Sequence, residues 1–154
     1  MSYVHLQVHS GYSLLSSAAK VKELVLKAKE LGYQALALTD DHVMYGTVEF
    51  YKECKTHGIK PIIGLTASVF IDEQETEAYP LILLAKNNEG YQNLIKISSV
   101  LKSKSKTGLK EKWLKAYHHG LIAITPGVSG YIETLLQHDQ LDEARDAASH
   151  LKDL

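Results

Sequence analysis

The run ALALTDD, residues 35–41, constrains the fold of this chain more than any other stretch. A short apolar run that stops abruptly at two acids reads as a strand ending in a polar rim. On either side lies an amphipathic helical pattern closed by glycine. Before it, Val21, Leu24, Val25, Ala28 and Leu31 recur at helical spacing, Glu23 stands four residues ahead of Lys27, and Gly32 supplies a left-handed stop. This helix is expected to start near Ser16 or Ser17 as its cap. After the run, TVEFYKECKTHG forms a second amphipathic pattern that Gly58 closes.

The same alternation recurs along the chain. KPIIGLTASVF (60–70), LILLA (81–85) and LIAIT (121–125) are strand candidates, with Gly64 marking a bulge or a close backbone approach. Residues 89–101 form a third helical pattern with Tyr91, Leu94, Ile95 and Ser98 facing inward. YIETLLQ and a segment from Asp139, in which Leu141, Ala144, Ala148 and Leu151 line up, supply two more. The acidic 72–78 stretch reads as an exposed turn. Strands alternating with helices predict a parallel β/α architecture with right-handed crossovers.

At the amino terminus, Val4, Leu6 and Val8 alternate with His5, Gln7 and His9. As a strand, that segment would turn three polar side chains to one face, and such a face needs hydrogen bonds, ions or a solvent-filled cleft. Strands of this architecture bind ligands beyond their carboxyl ends. The polar residues there are His9, Ser10, Asp40, Asp41, His42, Thr66 and Thr125.

Composition narrows the field. A chain of 154 residues, 45% hydrophobic and 23% charged, can bury one sizeable core. Its formal net charge of −1 gives no bulk electrostatic signal for nucleic acid. A single cysteine, Cys54, excludes an intrachain disulfide and fits a reducing compartment. Nothing in the sequence suggests secretion or a membrane span. One local exception to the charge balance stands out: residues 102–115 hold six lysines against Glu111. This segment, with Lys102, Lys104 and Lys106 at its start, reads as a surface loop that touches DNA weakly or contacts another domain, with Trp113 anchoring it to the body.

HLQVHSGYSLL, ALTDDHVMYG, FYKECKTHGIKPIIGLTASVF and YPLILLAKNNEGYQNLIKISS closely resemble successive blocks of the polymerase and histidinol phosphatase (PHP) domain family. The likeness is to the form found at the amino terminus of bacterial replicative polymerase III alpha subunits, DnaE type, of Gram-positive, Bacillus-like bacteria. It covers essentially the whole chain. The resemblance implies a distorted seven-stranded β/α barrel of which residues 1–154 are the first five or so β/α units, with palm, thumb, fingers and carboxyl-terminal modules outside the chain. It also implies DNA-directed DNA synthesis by a cytoplasmic parent protein, with Mg²⁺ in the palm and with primer-template DNA, the sliding clamp and the rest of the polymerase chain as partners.

Family members that retain chemistry hold up to three metal ions with histidines and carboxylates and cleave phosphoesters, as metals activate water and neutralise developing charge. In this sequence the resemblance puts Gln7 and His9 on the first ligand pair, Ser16 with Ser17 on an Asp-Gly, and Thr39, Asp40 and Asp41 on a Thr-Asp-His. Thr66 falls on a glutamate, Pro80 on a histidine and Gly127 on a cysteine. The implied outcome is a decayed metal centre without catalytic residues and without a cofactor in this chain. His5 and His9 are expected to tie the first strand to Asp40 and Asp41. A shifted register, with His9, Asp40, Asp41 and His42 around one ion, is the alternative. A free-standing metal-dependent phosphoesterase or 3'-5' exonuclease, and a small β/α binding module, are the competing readings.

Overall fold

The computed structural model describes residues 3–71, 77–105 and 107–153. Contacts divide the chain into two compact units, one reaching to Thr66 and the other beginning at Ala67.

In the first unit, helix α1 (Val21–Glu30) buries Val21, Val25 and Ala28, the one-sided stripe that their spacing demands. Both helices of this unit end alike. The N–H of Gly32 (φ 74°) bonds the Lys29 carbonyl and that of Tyr33 the Ala28 carbonyl. After α2 (Thr47–His57), Gly58 (φ 73°) bonds Lys55 and Ile59 bonds Cys54. This paired closure satisfies the last carbonyls and needs a left-handed residue, which glycine adopts without a Cβ clash. Each closure hands the chain to a strand. β1 (Ala35–Leu38) is buried throughout and pairs in parallel with β2 (Lys60–Val69), Ala35 opposite Lys60 and Leu38 opposite Ile63. The core between helices and strands consists of Val21, Val25, Ala28, Leu36, Leu38, Phe50, Cys54 and Ile59.

Three expectations in this unit are corrected. Residues 5–8 do not form a ladder strand. Ala37 and Thr39 donate to the carbonyls of His5 and Val8, while the Val8 N–H turns to the Thr39 hydroxyl instead of a backbone carbonyl. The alternation fails with it: Leu6 is exposed and Val8 is half-buried against the core. Helix α1 begins at Val21 with Lys20 at its cap position, because Ser16 and Ser17 belong to a preceding loop that the Gly11 N–H closes on the Ala19 carbonyl. Glu23 pairs with Lys20 and Lys27 with Glu30, each three residues apart, and Leu31 is exposed.

The second unit holds β3 (Tyr79–Ala85), α3 (Asn88–Ser103), α4 (Glu111–Tyr117), β4 (Leu121–Ile124), α5 (Tyr131–Gln137) and α6 (Leu141–Asp153). β4 runs antiparallel to β3, Ile82 opposite Ile124 and Ala85 opposite Leu121. The purely parallel expectation is thus corrected: the β structure is mixed. The connection from β3 to β4 runs through α3, α4 and the Gly120 turn (φ 73°), which delivers the chain to β4. The Asn87 side chain caps α3 by accepting from the Gly90 N–H at 2.9 Å. α3 buries Leu94, Ile97, Val100 and Leu101, while Ile95 is exposed and Tyr91 and Ser98 are half-buried. In α6 the buried pair is Ala144 and Ala147, packed with Leu135; Leu141 and Ala148 face solvent. The acidic 72–78 stretch falls largely outside the described residues, as does Lys106.

Candidate functional site: the Asp40 network

Asp40 follows β1 directly and is buried, 2% exposed. A carboxylate there must find donors. Three come from the loop that precedes α1: the Ser10 N–H at 2.6 Å and the Ser13 hydroxyl at 2.7 Å reach Oδ1, and the Ser10 hydroxyl reaches Oδ2 at 2.8 Å. Both serines are fully buried. The Ser13 oxygen in turn accepts from the Asp41 N–H at 3.0 Å, so loop and strand end hold each other in two directions. Small hydroxyl residues around Gly11 let the loop lie this close. Ser13 carries no mark of its role in the sequence beyond being a small polar residue in HSGYS.

Around this centre the other predicted residues take separate paths. Thr66 donates its hydroxyl to the Thr39 carbonyl at 2.9 Å and lies 3.2 Å from His9 Nε2. His9 Nε2 stands 3.6 Å from the Asp41 carboxylate, at the outer limit of an ion pair. His42 has a left-handed backbone (φ 60°) and donates its N–H to the Thr66 carbonyl. The expectation for His5 is corrected. Its ring meets the Tyr33 hydroxyl at 3.2 Å and packs edge-on against Tyr3, so it reaches neither acid. The pairing of histidine with Asp40 is corrected too, because serines occupy both carboxylate oxygens. Gln7 and Ser16 are exposed. Pro80, in β3, and Gly127, at φ 81° after β4, belong to the second unit. Thr125 follows β4, whose antiparallel course carries it away from the carboxyl end of β3.

The residues do not fit a multi-ion centre. Among the described residues, no three His, Cys, Asp or Glu side chains converge. The most buried carboxylate is already engaged by three donors, and the Thr66 hydroxyl offers a poor substitute for a carboxylate ligand. What the arrangement does is pin a loop onto the end of a strand.

Around this clasped β/α frame, residues 5–154 match the PHP domain. The chain belongs to the PHP domain family. It is 70% identical over 148 residues to the DNA polymerase III subunit alpha of Bacillus subtilis, covering 96% of this chain and 13% of that protein. It is 40% identical to the corresponding subunit of Halalkalibacterium halodurans, covering 99% of this chain and 14% of the relative. The chain thus spans about one-seventh of the length of the curated relatives it matches. The solved structure of an amidohydrolase from Chromobacterium violaceum superposes with a TM-score of 0.52 at 22% identity, over 66% of this chain and 34% of that one, a likeness of fold.

Proposed function

We propose that this chain is the amino-terminal portion of the PHP domain of a DNA polymerase III alpha subunit and serves that enzyme as a non-catalytic scaffold. The observation that carries the scaffold reading is the engagement of both Asp40 oxygens by Ser10 and Ser13. A carboxylate whose lone pairs already accept three protein donors is a structural clasp. Identity to the polymerase subunits over nearly the whole chain supports the parent assignment. On this reading the chain opens a distorted (β/α)7 barrel that the parent completes. DNA synthesis, its Mg²⁺ ions, the primer-template end held for synthesis and the sliding clamp belong to the rest of the parent, in the cytoplasm.

Two measurements test it. Elemental analysis of the purified chain is expected to find fewer than two zinc, manganese or iron ions per molecule, with phosphodiesterase activity at the blank. In the parent polymerase, Asp40→Ala is expected to leave primer extension near its normal rate at low temperature and to hasten heat inactivation. Two or more bound ions, together with phosphodiester hydrolysis that Asp40→Asn abolishes, would overturn the scaffold reading.

A further inference from the structure

The lysine-rich segment expected to be a loop is partly helical: residues 102–103 end α3 and residues 111–115 lie in α4. In α4, Trp113 and Tyr117 stand one turn apart, both half-buried, with ring centroids 6.1 Å from each other and planes 12° from parallel. Three ammonium groups converge on this strip. Lys112 lies 5.4 Å and Lys104, at the end of α3, 5.3 Å from the Trp113 centroid, and Lys96 of α3 lies 5.4 Å from the Tyr117 centroid. Lys115 stands apart from them, bound to Glu111 at 2.6 Å.

A lysine ordinarily lays its stem along apolar surface and keeps its ammonium in water. Here packing of α4 on α3 gathers three like charges over two rings, whose negative faces offset part of the repulsion. Lys102 and Lys110 add exposed positive charge at the margins. A strip that combines flat aromatic rings with a row of cations matches the two features of single-stranded nucleic acid, bases that stack and phosphates that repel one another. We propose that the α3–α4 face, through Lys96, Lys104, Lys112, Trp113 and Tyr117, is a contact surface for single-stranded nucleic acid. The identity of the polyanion rests on the polymerase reading above; the convergence of cations and rings does not.

Trp113 is the sole tryptophan of the chain, so its fluorescence reports from within the surface. Titration of the chain with an unlabelled oligothymidylate at low salt is expected to quench that fluorescence with micromolar affinity. Three phosphate contacts predict a log–log salt slope of about −2. Lys96→Glu, Lys104→Glu and Lys112→Glu together should weaken binding at least about tenfold in low salt, whereas Lys22→Glu, Lys29→Glu and Lys52→Glu, an equal change in net charge, should leave it within about twofold. Circular dichroism of both variants separates lost binding from lost folding, and Tyr117→Leu, which keeps every charge, should weaken binding several-fold. The absence of quenching, equal loss in the two charge variants, or polyglutamate displacing the oligonucleotide at equal concentration would each overturn the proposal. None of these results bears on metal content or on the heat inactivation that tests the scaffold reading.

Discussion

Replacing Asp40 by alanine tests the clasp most directly. The change removes the acceptor for one backbone N–H and two hydroxyls, all buried. A hydrogen bond to a charged group contributes roughly 1.5–3 kcal/mol, and a stranded buried donor costs about 1–3 kcal/mol. Both hydroxyls can rotate toward other acceptors, but the Ser10 N–H cannot. The net loss should therefore be about 3–5 kcal/mol, a large share of the roughly 5–15 kcal/mol that holds a domain together. With a urea dependence near 2 kcal/mol per molar, the midpoint should fall by about 2 M. Asparagine is the informative comparison. It keeps an acceptor for the Ser10 N–H and the Ser13 hydroxyl, but it aims an amide donor at the Ser10 oxygen, which already accepts from the Tyr12 N–H at 3.3 Å. A loss of about 1–2 kcal/mol is expected. Cys54 supplies the readout, since it is fully buried in the first unit and burial pushes its thiol up to about 11, so it reacts with disulfide reagents when that unit opens. If alanine lowered the midpoint by less than about 0.5 M, or asparagine cost more than alanine, the clasp would not hold the loop as argued.

His9→Ala removes one hydrogen bond to Thr66 and a long contact to Asp41, so chemical denaturation should register a loss of about 1 kcal/mol; no change in the midpoint would show that the histidine supports nothing. Gly90→Ala should destabilise the second unit by at least about 2 kcal/mol in a Trp113-monitored melt, because the new Cβ would collide with the Gly120 carbonyl and the start of β4 must move. The carboxyl of Glu111 is held below its ordinary range, first by its hydrogen bond to Lys115. A depressed carboxylate contributes stability above its unfolded-state value, near 4.3, and loses it as pH falls through the lower folded value. Wild type and Glu111→Gln should therefore differ in melting temperature at pH 6 and converge at strongly acidic pH; a difference that grew on acidification would reverse the assigned sign.

The helical stripes of α1 and α2, the glycine stops at Gly32 and Gly58, and the apolar runs that hold β1 to β4 were legible in the sequence to within a few residues, since each depends on neighbours along the chain or on a local backbone requirement. Site placement was legible only as a region: Asp41, Thr66 and His9 do meet after β1, as their positions at strand ends suggest. Partner choice was not. His5 and His9 sit four residues apart, yet one turns to Tyr33 and the other to Thr66, because the Thr39 hydroxyl interrupts the ladder between them. Ser13 became a ligand of Asp40 only once the loop closed between Gly11 and Ala19. The antiparallel course of β4 and the gathering of Lys96, Lys104 and Lys112 on α4 were likewise set by packing in the second unit. Periodicity is a property of neighbours along the chain, whereas strand direction, hydrogen-bond partners and charge convergence are properties of neighbours in space, and only the tertiary structure chooses those.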